Sequence, residues 1–123
     1  MKQFLFLCVL ALLHGATAAQ KEITVRFSND YNHVYHLALI VYKPDGTGET
    51  RVSNLEPKAE KSYTYPAGTE LYIADYRQEA FAMRGNDIRK TGVKPAFVLR
   101  GDQPRLIVQL STLASGSGQA PNR

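Results

Sequence analysis

The run Val34-Tyr35-His36-Leu37-Ala38-Leu39-Ile40-Val41-Tyr42 constrains this chain more than any other segment. It is apolar on both alternating faces, which marks a long central strand covered on both sides. A fold that accommodates it has to supply two covers.

The flanking segments carry a strand period of their own. Ile23, Val25 and Phe27 alternate with Thr24, Arg26 and Ser28, so one face of a short strand meets a core and the other meets water. Ser28-Asn29-Asp30 forms a turn before the long run, and Lys43-Pro44-Asp45-Gly46-Thr47-Gly48 forms another after it. A hairpin follows, with Thr50 to Asn54 as a polar edge strand that Pro57 interrupts. Ser62 to Tyr65 resumes the alternation. Pro66-Ala67-Gly68 then turns the chain into Glu70 to Tyr76, where Leu71 and Ile73 face away from Tyr72, Ala74 and Tyr76.

Gln78 to Met83 reads equally as strand or as a single helical turn. Ala96 to Leu99 and Leu106 to Leu110 are two further strands around Arg100-Gly101-Asp102-Gln103-Pro104. Seven or eight short strands without a convincing amphipathic helix predict an all-β fold, an antiparallel β-sandwich, with an open barrel as the alternative.

The N-terminus predicts an address. Lys2, an apolar run from Phe4 to Leu13 and the small-x-small pattern Ala16-Thr17-Ala18 make residues 1–18 a cleavable signal peptide, too short for a permanent span. Residues 19–110 are then one domain, and Ser111 to Arg123, rich in Ser, Gly, Ala and Pro, a disordered tail. Cleavage removes Cys8, the only cysteine, so the exported domain is no disulfide scaffold and must hold by packing. Cys8 lies inside the apolar run, where lipoprotein acylation does not fit. The expected location is secreted or periplasmic, with no transmembrane segment after cleavage.

Charge divides the chain. Residues 19–76 carry six Lys or Arg against eight Asp or Glu, whereas residues 77–105 carry seven against three. The basic set Arg84, Arg89, Lys90 and Lys94 is a candidate contact for a polyanionic envelope polymer, although such a run also suits a solvated loop. Nucleic acid is not expected, because no recognised binding motif accompanies the charge.

Catalytic signals are sparse. There is no Gly-x-Ser-x-Gly elbow and no Gly-rich phosphate loop, and no cofactor is expected. His33 and His36, with Asp30, form the single arrangement resembling a metal site, but residues three apart on a strand point to opposite faces. Glu56 with Glu60, or Asp75 with Glu79, read as surface charges. The enzyme alternative is a small hydrolase pairing His33 or His36 with Ser62 or Thr64. Arg100-Gly101-Asp102, at an expected hairpin tip, spells an integrin-type tripeptide, yet all three residues also suit a turn.

Tyrosine stands out. Seven tyrosines and no tryptophan fall on or beside the expected strands. Tyr63 and Tyr65 share one face, Tyr72 and Tyr76 another, and a hairpin between their strands would gather all four into a binding patch.

The order Ile23-Thr24-Val25-Arg26-Phe27-Ser28-Asn29, Lys43-Pro44-Asp45-Gly46, Leu55-Glu56-Pro57, Gly68-Thr69-Glu70-Leu71-Tyr72-Ile73 and Asp75 resembles the von Hippel–Lindau β-domain family. The resemblance implies a sandwich of about seven strands and a family use in binding an extended, hydroxyproline-bearing peptide. The family pocket needs two tryptophans and a histidine. Val41 or Ile40, Thr69 and Leu71 stand at those positions, so that chemistry does not carry over. The family's helical domain for the ubiquitin machinery has no counterpart either.

The expected function is a non-enzymatic binding module. It would recognise a peptide, protein or envelope polymer through a strand edge or through Tyr63, Tyr65, Tyr72, Tyr76, Arg84, Arg89 and Lys90. A structural component of an envelope assembly is the third reading, and an unpaired apolar edge strand would favour it.

Overall fold

A computed structural model describes residues 21–113. The expected signal peptide, 1–18, and positions 114–123 of the expected tail lie outside the described residues.

Strands dominate. β1 (Glu22–Ser28), β2 (Tyr35–Tyr42), β3 (Gly48–Leu55), β4 (Glu60–Pro66) and β5 (Glu70–Ile73) precede one helix, α1 (Tyr76–Met83). A 3-10 turn at Ile88–Thr91, β6 (Phe97–Val98), β7 (Arg105–Gln109) and a 3-10 turn at Leu110–Leu113 complete the described chain. One sheet has the order β4-β1-β7 and the other β3-β2-β5-β6.

The Lys43–Gly48 turn closes the β2–β3 hairpin as expected. The Gly46 N–H donates to the Lys43 carbonyl at 2.9 Å, with Gly46 at φ +91° where a glycine is the least costly residue. Tyr42 pairs with Gly48 and Tyr35 with Leu55, so the whole of β2 is zipped to β3.

The two sheets share one core. Ile23, Val25 and Phe27 of β1, Tyr63 and Tyr65 of β4 and Val108 of β7 meet Leu37, Leu39 and Val41 of β2 and Leu71 and Ile73 of β5. Burying each Leu, Ile or Phe is worth about 1.5–3 kcal/mol relative to exposure. The other face of β2 has a separate cover: Ala38, Ile40 and Tyr42, with Tyr72 and Ala74, pack beneath Phe81 and Ala82 of α1 and Ile88. Both faces of the long run are therefore covered, one by a sheet and one by a helix.

Four expectations need correction, and the open reading of Gln78 to Met83 is resolved. β1 and β7 run parallel, from Thr24↔Arg105 to Ser28↔Gln109, so the fold is not purely antiparallel. Gln78 to Met83 is helical, because Asp75 supplies a capping box: its carboxylate accepts from the Gln78 N–H while the Gln78 side chain accepts from the Asp75 N–H. β4 pairs with β1 and β5 with β2, so the hairpin expected between the tyrosine strands does not form. β6 pairs with β5 and β7 with β1, so Arg100–Pro104 is a crossover between sheets and not a hairpin tip. Order also continues past residue 110, because Ser111 to Leu113 belong to the last 3-10 turn.

Candidate functional site

The two open sides of the layered fold are closed in different ways. On one side β3 lies over β4, and tyrosines seal the gap. The Tyr65 hydroxyl donates to Glu49 at 2.9 Å, and the Tyr63 hydroxyl stands 3.4 Å from Ser53. Lys43 and Arg51 hold the same Glu49 carboxylate at 3.4 and 3.7 Å, while Arg51 and Lys61 lie over the Tyr63 ring. Burial, then the Glu49 hydrogen bond and charge, push the Tyr65 phenol well above its ordinary value. This side is a finished seam.

Among the described residues, no such seam closes the opposite side, where β6 lies beside β7. Phe97, Leu106 and Leu113 are only partly buried against the core there. They line an open hollow of about 520 Å³ together with Ile107, Val108 and Gln109. Ile107, in the middle of β7, is 60% exposed and Val98 of β6 51%.

The backbone of β7 is also available. The Thr24 N–H donates to the Pro104 carbonyl, which fixes the phase of the parallel ladder: Leu106 and Val108 turn their polar groups to β1, and Arg105 and Ile107 turn theirs outward. The Gln109 carbonyl is met by the Thr112 hydroxyl at 2.6 Å, so the open stretch ends there. Neighbouring edges are guarded: β3 carries Glu49 and Arg51, β4 carries Glu60, Lys61 and Pro66, and β6 is two residues long. β7 carries one charge, Arg105, at its start.

A second hollow adjoins β7 from the outer face of the same sheet. It measures about 330 Å³ and is lined by Thr24, Arg26, Ser62, Arg105, Leu106 and Ile107. Arg26 has a long ion pair to Glu60 at 3.8 Å, and no carboxylate lines the hollow itself. Hydroxyls and two guanidinium groups make this surface polar and cationic.

The expected tyrosine patch is dispersed. Tyr63 and Tyr65 are stacked inside the seam, buried with their rings 6.3 Å apart. Tyr72 is buried on the far face of the other sheet, edge-on to Tyr42, and its hydroxyl donates to Glu70 at 3.2 Å. Tyr76 opens α1 and lies against the His36 ring, exposed. Alternation placed Tyr63 with Tyr65, but β5 ends at Ile73, so Tyr76 shares no strand face with Tyr72, and β4 and β5 belong to different sheets.

The basic set is partly consumed by structure. Arg89 makes a two-pronged pair with Asp87 and lies flat over the Tyr42 ring, 3.9 Å from its centre, so it serves as a lid on that core residue. The same guanidinium, through its hydrogen bond, holds the Asp87 carboxyl well below the usual range. Arg84 is the exposed C-cap of α1, Lys90 is exposed on the 3-10 turn and Lys94 on the loop before β6.

His36 lies between the Asn54 amide and Glu79, 2.7 Å from each. It stands on the outer face of one sheet while Ser62 and Thr64 stand on the outer face of the other, so His36 and those hydroxyls do not meet. The Thr64 hydroxyl is 3.0 Å from that of Thr24. His33 stacks on Tyr31 in the bend before β2. No group of three or more His, Cys, Asp or Glu suited to a metal ion occurs among the described residues. Arg100 and Asp102 are paired with each other at 2.8 Å.

Ile40, Val41, Thr69 and Leu71, the positions that the resemblance sets at the hydroxyproline pocket, are all buried. No helix among the described residues is long and apolar enough to cross a membrane. No protein-family model, curated protein or solved structure matches the chain.

Proposed function

We propose that this protein is an exported, non-enzymatic binding module that takes an extended segment of another protein onto the free edge of β7. One observation carries the reading. β7 combines outward backbone groups at Arg105 and Ile107, an exposed central apolar side chain and an apolar hollow beneath it. An added strand would complete the ladder through main-chain hydrogen bonds and place alternate side chains in the hollow. Such an edge on a protein that must stay monomeric is ordinarily blocked by charge, proline or brevity. The N-terminal signal supports export, and the loss of Cys8 with it leaves a domain that holds by packing alone.

The reading is tested with a photoreactive residue at position 107, and at 61 on the guarded β4 edge as control, in protein expressed from the full chain and returned to its native exported fraction. A partner crosslinked from 107 and not from 61 is expected. Equal labelling at both positions, or none at 107, sinks the proposal.

The assembly reading draws on the same edge. Were β7 to pair with β7 of a second copy about Ile107, the protein would sediment as a dimer at micromolar concentration, and Ile107→Lys would return it to monomer.

A further inference from the structure

Resting on that reading, we infer that the strand accepted by β7 is an amphipathic acidic one, apolar at alternate positions and carrying a carboxylate opposite Arg105. A strand added to an edge sends successive side chains to opposite faces. On the inner face they enter the hollow of Phe97, Leu106 and Leu113, which holds no charged side chain. Apolar side chains suit its Phe97, Leu106, Val108 and Leu113 wall best, while Gln109 and Thr112 border it on one side.

On the outer face the same strand runs beside Arg105 and Ile107. The adjoining hollow is lined by Arg105, Arg26, Thr24 and Ser62, with no carboxylate in its wall among the described residues, although Arg26 has its long ion pair to Glu60 beside it. Thr24 is the register partner of Arg105, and Ile107 that of Arg26, so the two guanidinium groups sit diagonally across one pair of strands. Diagonal neighbours on one sheet face are about 7–8 Å apart, within reach of long side chains. A carboxylate set at the edge therefore meets Arg105 directly, with Arg26 one strand further in.

The excess of positive charge over residues 77–105 is a property of the whole surface, not of the β7 edge. Residues 77–105 carry seven cations against three carboxylates, and Asp87 and Asp102 are already paired, to Arg89 and Arg100. A second copy of this chain is the less complementary occupant: in an antiparallel pair about Ile107, Arg105 would face Gln109 and the two cationic hollows would be neighbours.

The probes are three nine-residue peptides alternating Val with Glu, Thr or Lys, each kept below its own association concentration. Binding is read from the amide signals of Arg105 and Ile107 and from their exchange with solvent. The Glu peptide is expected to slow both amides and to bind about three- to fivefold more tightly than the Thr peptide, the upper value of one edge charge pair. The Lys peptide should bind most weakly. Arg105→Gln should erase the Glu-over-Thr advantage while Thr-peptide binding persists, and 0.5 M salt should do the same. Equal binding of the Glu and Thr peptides overturns the acidic specificity and leaves strand addition standing. Failure of every peptide to protect Ile107 overturns strand addition itself. Protection of Ile107 that rises with protein concentration in the absence of peptide assigns the edge to a second copy and overturns both.

Discussion

At the scale of single residues, Asn29 organises more of the chain than its place in a turn suggests. Its side chain is fully buried, and its amide nitrogen lies within 2.9–3.2 Å of the carbonyls of His33, Leu55 and Glu56, while its side-chain oxygen accepts from the Tyr31 N–H. Asn29→Ala strands those groups without replacement and should cost about 2–4 kcal/mol, read as a lower urea midpoint with an unchanged slope. An unchanged midpoint would show that water replaces the amide. Tyr72 is the opposite case, a residue whose chemistry is visible in titration. Burial first, then the charge and hydrogen bond of Glu70, push its phenol up to about 12. The neutral phenol is thus favoured by folding: its stabilisation is complete below pH ~10 and is lost as pH rises through about 12. Absorbance at 295 nm should show a tyrosine ionising near 12 in the folded protein, absent in Tyr72→Phe. Ordinary titration of all seven tyrosines near pH 10 would contradict the burial. The sequence showed both residues as turn and strand formers, because neither a buried amide nor a phenol–carboxylate contact leaves a local pattern.

At the scale of elements, legibility follows range. Strands β1 to β5 could be read from the alternation of Ile23 to Phe27, the two-faced run at Val34 to Tyr42 and the turn residues between them, because each of these is local. α1 was legible in principle: Asp75-Tyr76-Arg77-Gln78 has the spacing of a capping box, a signal stronger than the weak apolar period of Glu79 to Met83. The Pro57 turn conceals a smaller surprise. The Ala59 N–H donates to the Glu56 carbonyl, and Lys58 takes φ +70°, the position where a turn of this shape ordinarily has glycine or asparagine. Pairing was not legible. Tyr63, Tyr65, Leu71 and Ile73 all face one core, so alternation gives them a common interior without saying that their strands lie in different sheets. Because α1 buries none of its residues completely, its cap matters more than for a deeply packed helix. Asp75→Ala should cost about 1 kcal/mol, and amide exchange at Glu79 to Met83 should quicken roughly fivefold while β1 amides keep their rates. Acceleration throughout the sheets would mean that α1 does not open separately.

At the scale of the whole molecule, the candidate site exists because of strand order, and strand order is what one sequence hides best. Ile107 read correctly as a strand residue, but its exposed edge follows from β7 docking in parallel beside β1 at the margin of a sheet. The tyrosine-rich side, which looked the richer surface, is the side the protein uses to close itself. The same topology makes the C-terminal end a structural closure. β1 lies in the middle of its sheet and cannot be flanked until β7 arrives from the far end of the chain, and that arrival is fastened by Ser111. Its N–H donates to one oxygen of Asp30 at 2.9 Å and its hydroxyl to the other, linking the last described turn to the start of the β1–β2 connection. The Ser111 hydroxyl is the main reason the Asp30 carboxyl ionises below the ordinary value of 3.8. A depressed folded-state value means that the fastening is at full strength above pH ~4 and is lost as pH falls through that lower value. Ser111→Ala, which keeps the N–H contact, should therefore cost about 1 kcal/mol at pH 7, discounted for the exposure of the pair. Urea midpoints of the two proteins should converge as pH falls from 4 to 2, because protonated Asp30 no longer distinguishes them. A gap that stays constant over that range would mean that Ser111 acts through packing and not through the Asp30 charge.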